Sequence, residues 1–290
     1  MKRKTQQSYE IRFTRYENMY EAYWKLKTRP FQNTADPKFF CHSPQHDEAL
    51  MKLTYAVNEN MGAAMLTGAY GCGKTLLSRV LLQQLGGLYV ARTCLAHPGM
   101  APVDILRAVA RAMTDAALSA ERASLVPDAL LEAIERSLKE NRRDGKRTVL
   151  VIDEAHMLDN QAALEVARIL LNFQQDNEFM MTILFLGHLE LAERVAALKQ
   201  LAQRIPITCT LSHFNSADTF TYVQTRLSIA GCKEKLFADE ALQLIYRNSG
   251  GIPRRINTLC DVSLTLGFAK KATVIDTNLV LEASEKFGII

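Results

Sequence analysis

The chain has 290 residues, and its 48% hydrophobic content is ample for one large domain or two modest ones. No run of about eighteen apolar residues lacks a charge, so we expect neither a membrane-spanning helix nor a membrane anchor. The basic first residues are not followed by an apolar core, which argues against a secretory signal and predicts a cytoplasmic protein.

The formal net charge of +4 comes from residues 1–16, which hold five basic residues and one acidic residue. A basic tail of this kind can steer a protein toward nucleic acid or acidic lipid. It is equally typical of a solvated, disordered chain end. The charge alone therefore does not identify a nucleic-acid-binding protein.

The six cysteines are scattered without short paired spacings, which is typical of reduced thiols and predicts no disulfides. The one cluster with metal-ligand residue types is Cys41, His42 and His46, but it lacks a second pair of ligands. We therefore predict structural or capping roles for these three residues and no metal site formed by the protein alone.

The first three regions of the chain are a basic tail at 1–18, a linker with a helix at 19–60, and an α/β domain at 61–212. The helix is predicted to begin at Pro44, with Ser43 as its N-cap. In the α/β domain, apolar runs alternate with helical segments, which favours a parallel sheet covered by helices on both faces. The predicted strands are 63–67, 88–93, 148–152, 181–187 and 205–211.

The fourth region, residues 213–290, contains helical signals alone. Several of its segments begin with Asp or Ser and end with Gly, as helices commonly do. We therefore predict an all-helical domain after the α/β domain. Its predicted helices are 216–231, 238–250, 253–270 and 276–288.

A glycine-rich loop follows the first predicted strand. Gly68 to Thr75, GAYGCGKT, fit the pattern G-x-x-x-x-G-K-[ST], and a helical segment comes directly after them. The backbone N–H groups of such a loop wrap phosphate oxygens, and glycines permit the close approach. We predict a nucleotide site in a P-loop NTPase fold, with these contact residues: Gly68, Ala69, Tyr70, Gly71, Cys72, Gly73, Lys74, Thr75, Leu76 and Asp153.

Within this loop, Lys74 is predicted to bridge the outer phosphates, and the Thr75 hydroxyl is predicted to bind Mg²⁺. The Cys72 thiol occupies a variable position of the pattern. We interpret it as incidental to the chemistry.

Two acids, Asp153 and Glu154, end the buried run 148–152. At the tip of a central strand, Asp153 is predicted to hold Mg²⁺, and Glu154 to orient and deprotonate the attacking water. The alternative is a solvated loop after a strand, which explains two acids poorly beside a phosphate loop. The letters DEAH also occur in helicases with two paired nucleotide-binding domains, but a single phosphate loop does not fit that class.

Three further residues are candidates for the hydrolysis site. Arg204 precedes the last strand and could reach a neighbouring subunit's phosphates; a surface arginine that caps a helix is an equal alternative. Arg254 begins a helix, where a cation gains nothing from the helix dipole, so it either reaches the nucleotide or forms a salt bridge. His188 ends the fourth strand near the attacking water, although such a histidine is more often a turn residue.

Taken in order, these motifs resemble AAA+ ATPases, and more closely the ExeA/GspA/MshM group associated with secretion and pilus assembly. The resemblance runs from Met19 nearly to the end of the chain. At LGHLEL the group more usually has Gly-Gln-Pro-Glu-Leu, so His188 and Leu189 leave the first sensor undefined. The matching blocks are 19-MYEAYWKLKTRPFQNTADPKFF-40, 46-HDEAL-50, GAYGCGKT, VIDEAH, LGHLEL, QLAQRI and GIPRRINTLCD.

The resemblance implies ATP as the nucleotide, and the chain has no N-K-x-D-type reader of guanine. It implies Arg204 as a finger that acts on a neighbouring subunit, Arg254 as a sensor, the helical domain as a lid, and a homo-oligomeric ring or filament. Some members continue into a membrane segment and a peptidoglycan-binding region, whereas this sequence stops at Ile290, so we do not expect an envelope-spanning role. The architecture is also similar to transposition regulators of the TnsC/TniB kind, which polymerise on DNA with ATP.

Three hypotheses follow. The leading one is a Mg²⁺-dependent ATPase that drives assembly or remodelling of an unidentified partner complex, with Lys74, Glu154, Arg204 and Arg254 as its catalytic residues. The second is a DNA-binding ATP switch that regulates transposition, in which hydrolysis is slow and ATP promotes oligomerisation on DNA. The third is a scaffold that binds nucleotide without hydrolysis, which the paired acids disfavour.

Overall fold

The computed structural model describes residues 19–114, 126–158, 161–286 and 288, so the basic tail lies outside the described residues. The chain divides into two compact units. A sheet unit consists of residues 44–212, and a helical unit combines residues 213–290 with the chain before Pro44.

The strands of the sheet unit are β1 (Ala63–Gly68), β2 (Tyr89–Leu95), β3 (Arg147–Asp153), β4 (Gln174–Gln175), β5 (Glu178–Phe179), β6 (Met181–Gly187) and β7 (Ile207–Leu211). Five of them form a parallel sheet in the order β2-β3-β6-β1-β7, as far as the described residues show. Strands β1 and β6 are buried along their whole length, and β3 is buried beyond its first residue. Burial on both faces explains why these strands read as continuous apolar runs.

The helices of this unit are α1 (Pro44–Asn58), α2 (Lys74–Gln84), α3 (Pro102–Thr114), α4 (Pro127–Arg143), α5 (Gln161–Leu170), α6 (Glu190–Ala197) and α7 (Lys199–Ala202). Helices α1 and α2 contact the sheet, and α3 to α7 form one apolar core with it. The short strands β4 and β5 form a separate antiparallel pair. The predicted α/β fold class, a parallel sheet between helices followed by an all-helical domain, is confirmed.

The helical unit contains α8 (Ser216–Ile229), α9 (Asp239–Ser249), α10 (Pro253–Ala269) and α11 (Thr277–Lys286). The segment 19–43 belongs to the same unit, with a single helical turn at Met19–Tyr23 and a 3₁₀ turn at Pro37–Phe39. Trp24 and Phe31 of this segment are buried in the core of the unit. The Trp24 indole donates a hydrogen bond to the Leu264 carbonyl at 2.9 Å, so the segment completes this core.

A buried arginine fixes the same segment. Arg226 on α8 is 2% exposed. Its guanidinium donates to the carbonyls of Pro30 at 2.5 Å and Gln32 at 3.1 Å, and it lies over the Phe39 ring at 4.8 Å. Because buried carbonyls need donors, Arg226 satisfies the backbone of a segment that has no regular structure there.

No helix in the part of the chain that the structure describes combines the length and the apolar character needed to cross a membrane.

Candidate nucleotide-binding site

Three adjacent strand ends meet at one edge of the sheet. Strand β6 lies between β1 and β3, and all three are parallel, so their carboxyl ends lie at the same edge. The phosphate loop begins at Gly68, the last residue of β1; Asp153 ends β3 and Glu154 follows it; and His188 follows β6. The fold therefore brings the predicted phosphate loop and the paired acids together.

The backbone of the loop has the geometry that phosphate binding needs. Gly71 and Gly73 have φ values of 79° and 94°, in the left-handed region, and α2 begins directly after Gly73. Gly68 serves a different purpose: a Cβ atom there would lie 2.7 Å from the Leu211 carbonyl oxygen of β7. The first glycine is therefore required by close strand packing rather than by its φ angle.

Lys74 is the buried cation of the loop, with 8% of its surface exposed. Its ammonium donates hydrogen bonds to the carbonyls of Gly68 at 2.9 Å and Ala69 at 3.0 Å. These contacts hold the charge beside the loop backbone that would surround a phosphate group.

Thr75 and Asp153 lie in direct contact. The Thr75 hydroxyl donates to Asp153 Oδ2 at 2.8 Å, and the other carboxylate oxygen accepts the backbone N–H of Glu154 at 2.9 Å. Hydroxyl and carboxylate oxygens are the donors that Mg²⁺ prefers, and the two groups are already adjacent. The residues present fit a magnesium site at this position.

Glu154 has an unusual backbone conformation for a side-chain-bearing residue. Its φ is 55° and its ψ is 33°, in the left-handed region, and the 3₁₀ turn Ala155–Met157 begins directly after it. Such a conformation costs about 1 kcal/mol or more, and it is common at functional sites. The side chain is 38% exposed, so water can reach its carboxylate.

The side chains of His46 and Tyr70 make contacts around the loop that the sequence did not indicate. His46 of α1 is 5% exposed, and its Nε2 lies 3.0 Å from the Cys72 carbonyl oxygen. Burial raises the pKa of the Cys72 thiol, so it stays protonated at neutral pH. Tyr70 is 56% exposed and contacts histidines of two other strand ends. The motif marks Tyr70 and Cys72 only as variable positions, and no pattern links His46 to the loop.

Arg204 lies at the end of the sheet where the parallel strands begin, whereas the phosphate loop lies at the end where they finish. It precedes β7, whose Ile207 pairs with Ala64 at the start of β1, whereas the loop begins at Gly68. At 3.3 Å per residue the separation is about 13 Å or more along the strands. The Arg204 guanidinium donates to Asn172 Oδ1 at 2.7 Å and to the Arg168 carbonyl at 3.3 Å.

Arg254 belongs to the helical unit. It is exposed in the first turn of α10, beside the equally exposed Arg255, and its carbonyl accepts a hydrogen bond from the Thr258 hydroxyl at 3.0 Å. The predicted role of Arg254 as a sensor of the nucleotide stays a prediction.

Comparisons with known proteins point to the same class of protein as the motifs. Residues 57–195 match the model of an AAA domain. The sequence is 35% identical over 280 residues to General secretion pathway protein A of Aeromonas hydrophila, an alignment that covers 93% of this chain and 49% of that relative. The chain thus spans about half the length of this relative.

Solved structures agree at the level of the fold. Cdc6p from Pyrobaculum aerophilum has a TM-score of 0.69 at 18% identity, over 86% of this chain and 70% of that one. The Drosophila ORC bound to DNA has a TM-score of 0.68 at 15% identity, over 93% of this chain and 66% of that one. The AAA-domain match and the 35% identity to General secretion pathway protein A, together with this shared fold, confirm the resemblance to AAA+ ATPases that the motifs predicted.

Proposed function

We propose that this protein is a Mg²⁺-dependent ATPase that uses ATP binding and hydrolysis to assemble or remodel a partner complex. One observation carries the proposal: the Thr75 hydroxyl lies 2.8 Å from Asp153 Oδ2, with Lys74 and Glu154 directly beside them in sequence. A passive phosphate loop would not need two acids at the end of β3, on the same side of the sheet.

The proposed reaction is attack of water on the γ-phosphorus of ATP. Glu154 accepts a proton from the water as the new P–O bond forms, and the bond to the β-phosphate oxygen breaks to release ADP. Lys74 and the loop N–H groups stabilise the negative charge on the outer phosphates. Thr75 and Asp153 would hold Mg²⁺, which supplies further positive charge to the phosphates when it is bound.

Arg204 is proposed to act on the nucleotide of a neighbouring subunit. Its position at the opposite edge of the sheet makes it remote from its own phosphate loop, which supports a role in trans. Its guanidinium donates to the neutral Asn172 side chain and to a backbone carbonyl, so its charge is not offset by a carboxylate among the described residues. This proposal requires a homo-oligomer, either a ring or a filament.

The central test replaces the proposed base and measures binding and turnover separately. Glu154→Gln should bind a fluorescent ATP analogue with a dissociation constant within about twofold of the wild type. Its rate of phosphate release should fall by about a hundredfold or more, because the amide accepts no proton. Glu178→Gln, which changes an exposed acid of β5, is the matched control and should keep the wild-type rate.

Wild-type turnover in the Glu154→Gln variant would remove the assigned base. A wild-type protein that binds ATP and Mg²⁺ but never releases phosphate would instead support the scaffold hypothesis. Lys74→Ala should abolish ATP binding in either case, because the loop then lacks its ammonium group.

The partner is proposed from the relative's name alone. General secretion pathway protein A is 35% identical to this chain, which favours a secretion or pilus-assembly complex as the partner. Copurification of untagged proteins with tagged Glu154→Gln protein in ATP tests this assignment. The cytoplasmic location also stays a prediction.

A second candidate is a regulator of transposition that oligomerises on DNA in the presence of ATP. The basic residues of positions 1–16 favour it. The expected result is ATP-dependent binding to duplex DNA, measured by fluorescence anisotropy, that weakens steeply as salt increases. A protein that binds ATP and shows no DNA affinity at low salt would contradict this candidate.

A further inference from the structure

Three aromatic rings join the phosphate loop to the ends of β3 and β6. Tyr70 of the loop stacks on His188, with ring centroids 4.5 Å apart and an interplanar angle of 20°. The Tyr70 hydroxyl lies 3.3 Å from His156 Nε2. This aromatic cluster, Tyr70, His156 and His188, has no assigned role in the proposed reaction.

His156 is the buried member of the aromatic cluster, with 4% of its surface exposed. Its backbone is held in place, because Arg194 donates to the His156 carbonyl at 2.5 Å and a Cβ atom at Gly187 would lie only 3.1 Å from the His156 backbone nitrogen. The ring therefore has a defined position at the end of β3.

The other ring nitrogen of His156 faces the proposed base. His156 Nδ1 lies 3.4 Å from Glu154 Oε2, and this buried nitrogen has no hydrogen-bond partner among the residues that the structure describes. A buried polar atom without a partner is costly, so a small movement of the exposed Glu154 side chain would satisfy it.

The chemistry of the two neighbours selects one tautomer of His156. Burial lowers the pKa of His156, so the ring is neutral at pH 7 and carries one N–H. An ionised Glu154 only accepts hydrogen bonds, whereas the Tyr70 hydroxyl can donate to Nε2. The favoured arrangement is therefore Tyr70 O–H donating to Nε2 and Nδ1–H pointing toward Glu154.

We propose that His156 is the positioning residue for Glu154, and that Tyr70 of the phosphate loop selects the tautomer of His156 that allows it. The inference rests on the proposed function, since Glu154 must be the base for its position to matter. His188 stacks on Tyr70 and so helps to hold the Tyr70 ring in place. These side chains link the phosphate loop to the base. A shift of Tyr70 on nucleotide binding therefore changes the position of the Glu154 side chain through His156.

Two substitutions of His156 separate its two nitrogens. The Asn side-chain nitrogen is as many bonds from Cα as Nδ1, and the Gln side-chain nitrogen as many as Nε2. His156→Asn therefore keeps a donor toward Glu154, and His156→Gln keeps a polar group toward Tyr70 only. We expect His156→Asn to keep kcat within about threefold of the wild type and His156→Gln to lose about tenfold or more, with ATP affinity within about twofold in both.

Tyr70→Phe gives a second test at an exposed residue. It keeps the ring that stacks on His188 and removes the hydroxyl that selects the tautomer, so kcat should fall severalfold. In the His156→Asn background, which has no Nε2, the same change should have no further effect on kcat. A purely structural role of the cluster would not produce this dependence.

The outcomes distinguish this inference from the proposed function. Equal kcat values in the Asn and Gln variants, a larger loss in Asn, or an undiminished Tyr70→Phe effect in the Asn background would each overturn the positioning role. Such results in a hydrolysing wild-type protein would leave the ATPase proposal intact. Absence of hydrolysis in the wild type would instead contradict the proposed function.

Discussion

Two arginines, one in each unit, show how differently the molecule uses the same side chain. Arg226 is 2% exposed and donates to the carbonyls of Pro30 and Gln32 inside the helical unit. Arg204 is partly exposed at the edge of the sheet unit, where Nη1 carries both of its hydrogen bonds. Neither guanidinium forms an ion pair among the described residues.

The two arginines differ in how many of their N–H donors form hydrogen bonds within the protein. Arg226 uses Nε, Nη1 and Nη2 in hydrogen bonds, so the side chain is committed to the fold. Arg204 is held by one nitrogen, and its other N–H groups have no acceptor among the residues that the structure describes. Burial with full pairing indicates stability, whereas an anchored arginine with unused donors indicates binding.

The largest expected effect concerns Arg204. Arg204→Ala should lower ATP turnover by about a thousandfold, because an arginine that stabilises the transferring phosphoryl group is worth that much. Stability should change little, since the side chain is partly exposed. Far-UV circular dichroism in urea follows the helices of both units and should show an unchanged midpoint.

Mixing subunits tests whether Arg204 acts in trans. Arg204→Ala protein mixed with Lys74→Ala protein should regain part of the wild-type activity, because some interfaces then combine an intact phosphate loop with an intact Arg204. Inactive mixtures from subunits that demonstrably co-assemble would refute the assignment.

The second effect concerns Arg226. Arg226→Met should lower the free energy of unfolding by about 3 kcal/mol, because it leaves buried carbonyls without donors. The urea midpoint of Trp24 fluorescence measures the loss, while turnover per folded molecule should stay within about twofold of the wild type. Arg226→Lys keeps the charge but not the planar fork, so it should also be destabilised. Wild-type stability in both variants would mean that these hydrogen bonds contribute nothing.

The smallest effect concerns the anchor of Arg204. Asn172→Ala removes the 2.7 Å hydrogen bond and should lower kcat about tenfold through poorer positioning. When Asn172→Ala is added to Arg204→Ala, kcat should fall no further, because the two residues act as one unit. Asn141→Ala, at a Thr148 contact elsewhere in the sheet unit, is the matched control and should keep the wild-type kcat. An additive loss of kcat in the double variant would show that Asn172 acts independently of Arg204.

Much of the sheet was predictable because burial on both faces leaves an uninterrupted apolar run. The run at 181–187 coincides with β6. The last strand was predicted from 205 but begins at Ile207, because Pro206 has no N–H to donate to a neighbouring strand. The phosphate loop and the paired acids were predictable for a related reason, since each comes at the end of a strand that a short apolar run identifies.

Contacts between distant residues were not predictable. Trp24 and Leu264 are 240 positions apart, and no periodicity in either segment indicates that they meet. Tyr70 and His156 likewise meet only because β1 and β3 end at the same sheet edge with β6 between them. The motif assigned the loop and the acids but left the rings unexplained, because ring stacking depends on three strand ends at once.

The core of the helical unit contains residues from two distant parts of the chain, which limits the fragments of this protein that can stay soluble. A fragment of residues 213–290 would lack Trp24 and Phe31, and it would expose the apolar surface that they cover. Such a fragment should aggregate on its own and recover solubility when a peptide of residues 19–43 is added. Cleavage of the backbone near Ser43 should leave that peptide attached without a covalent link.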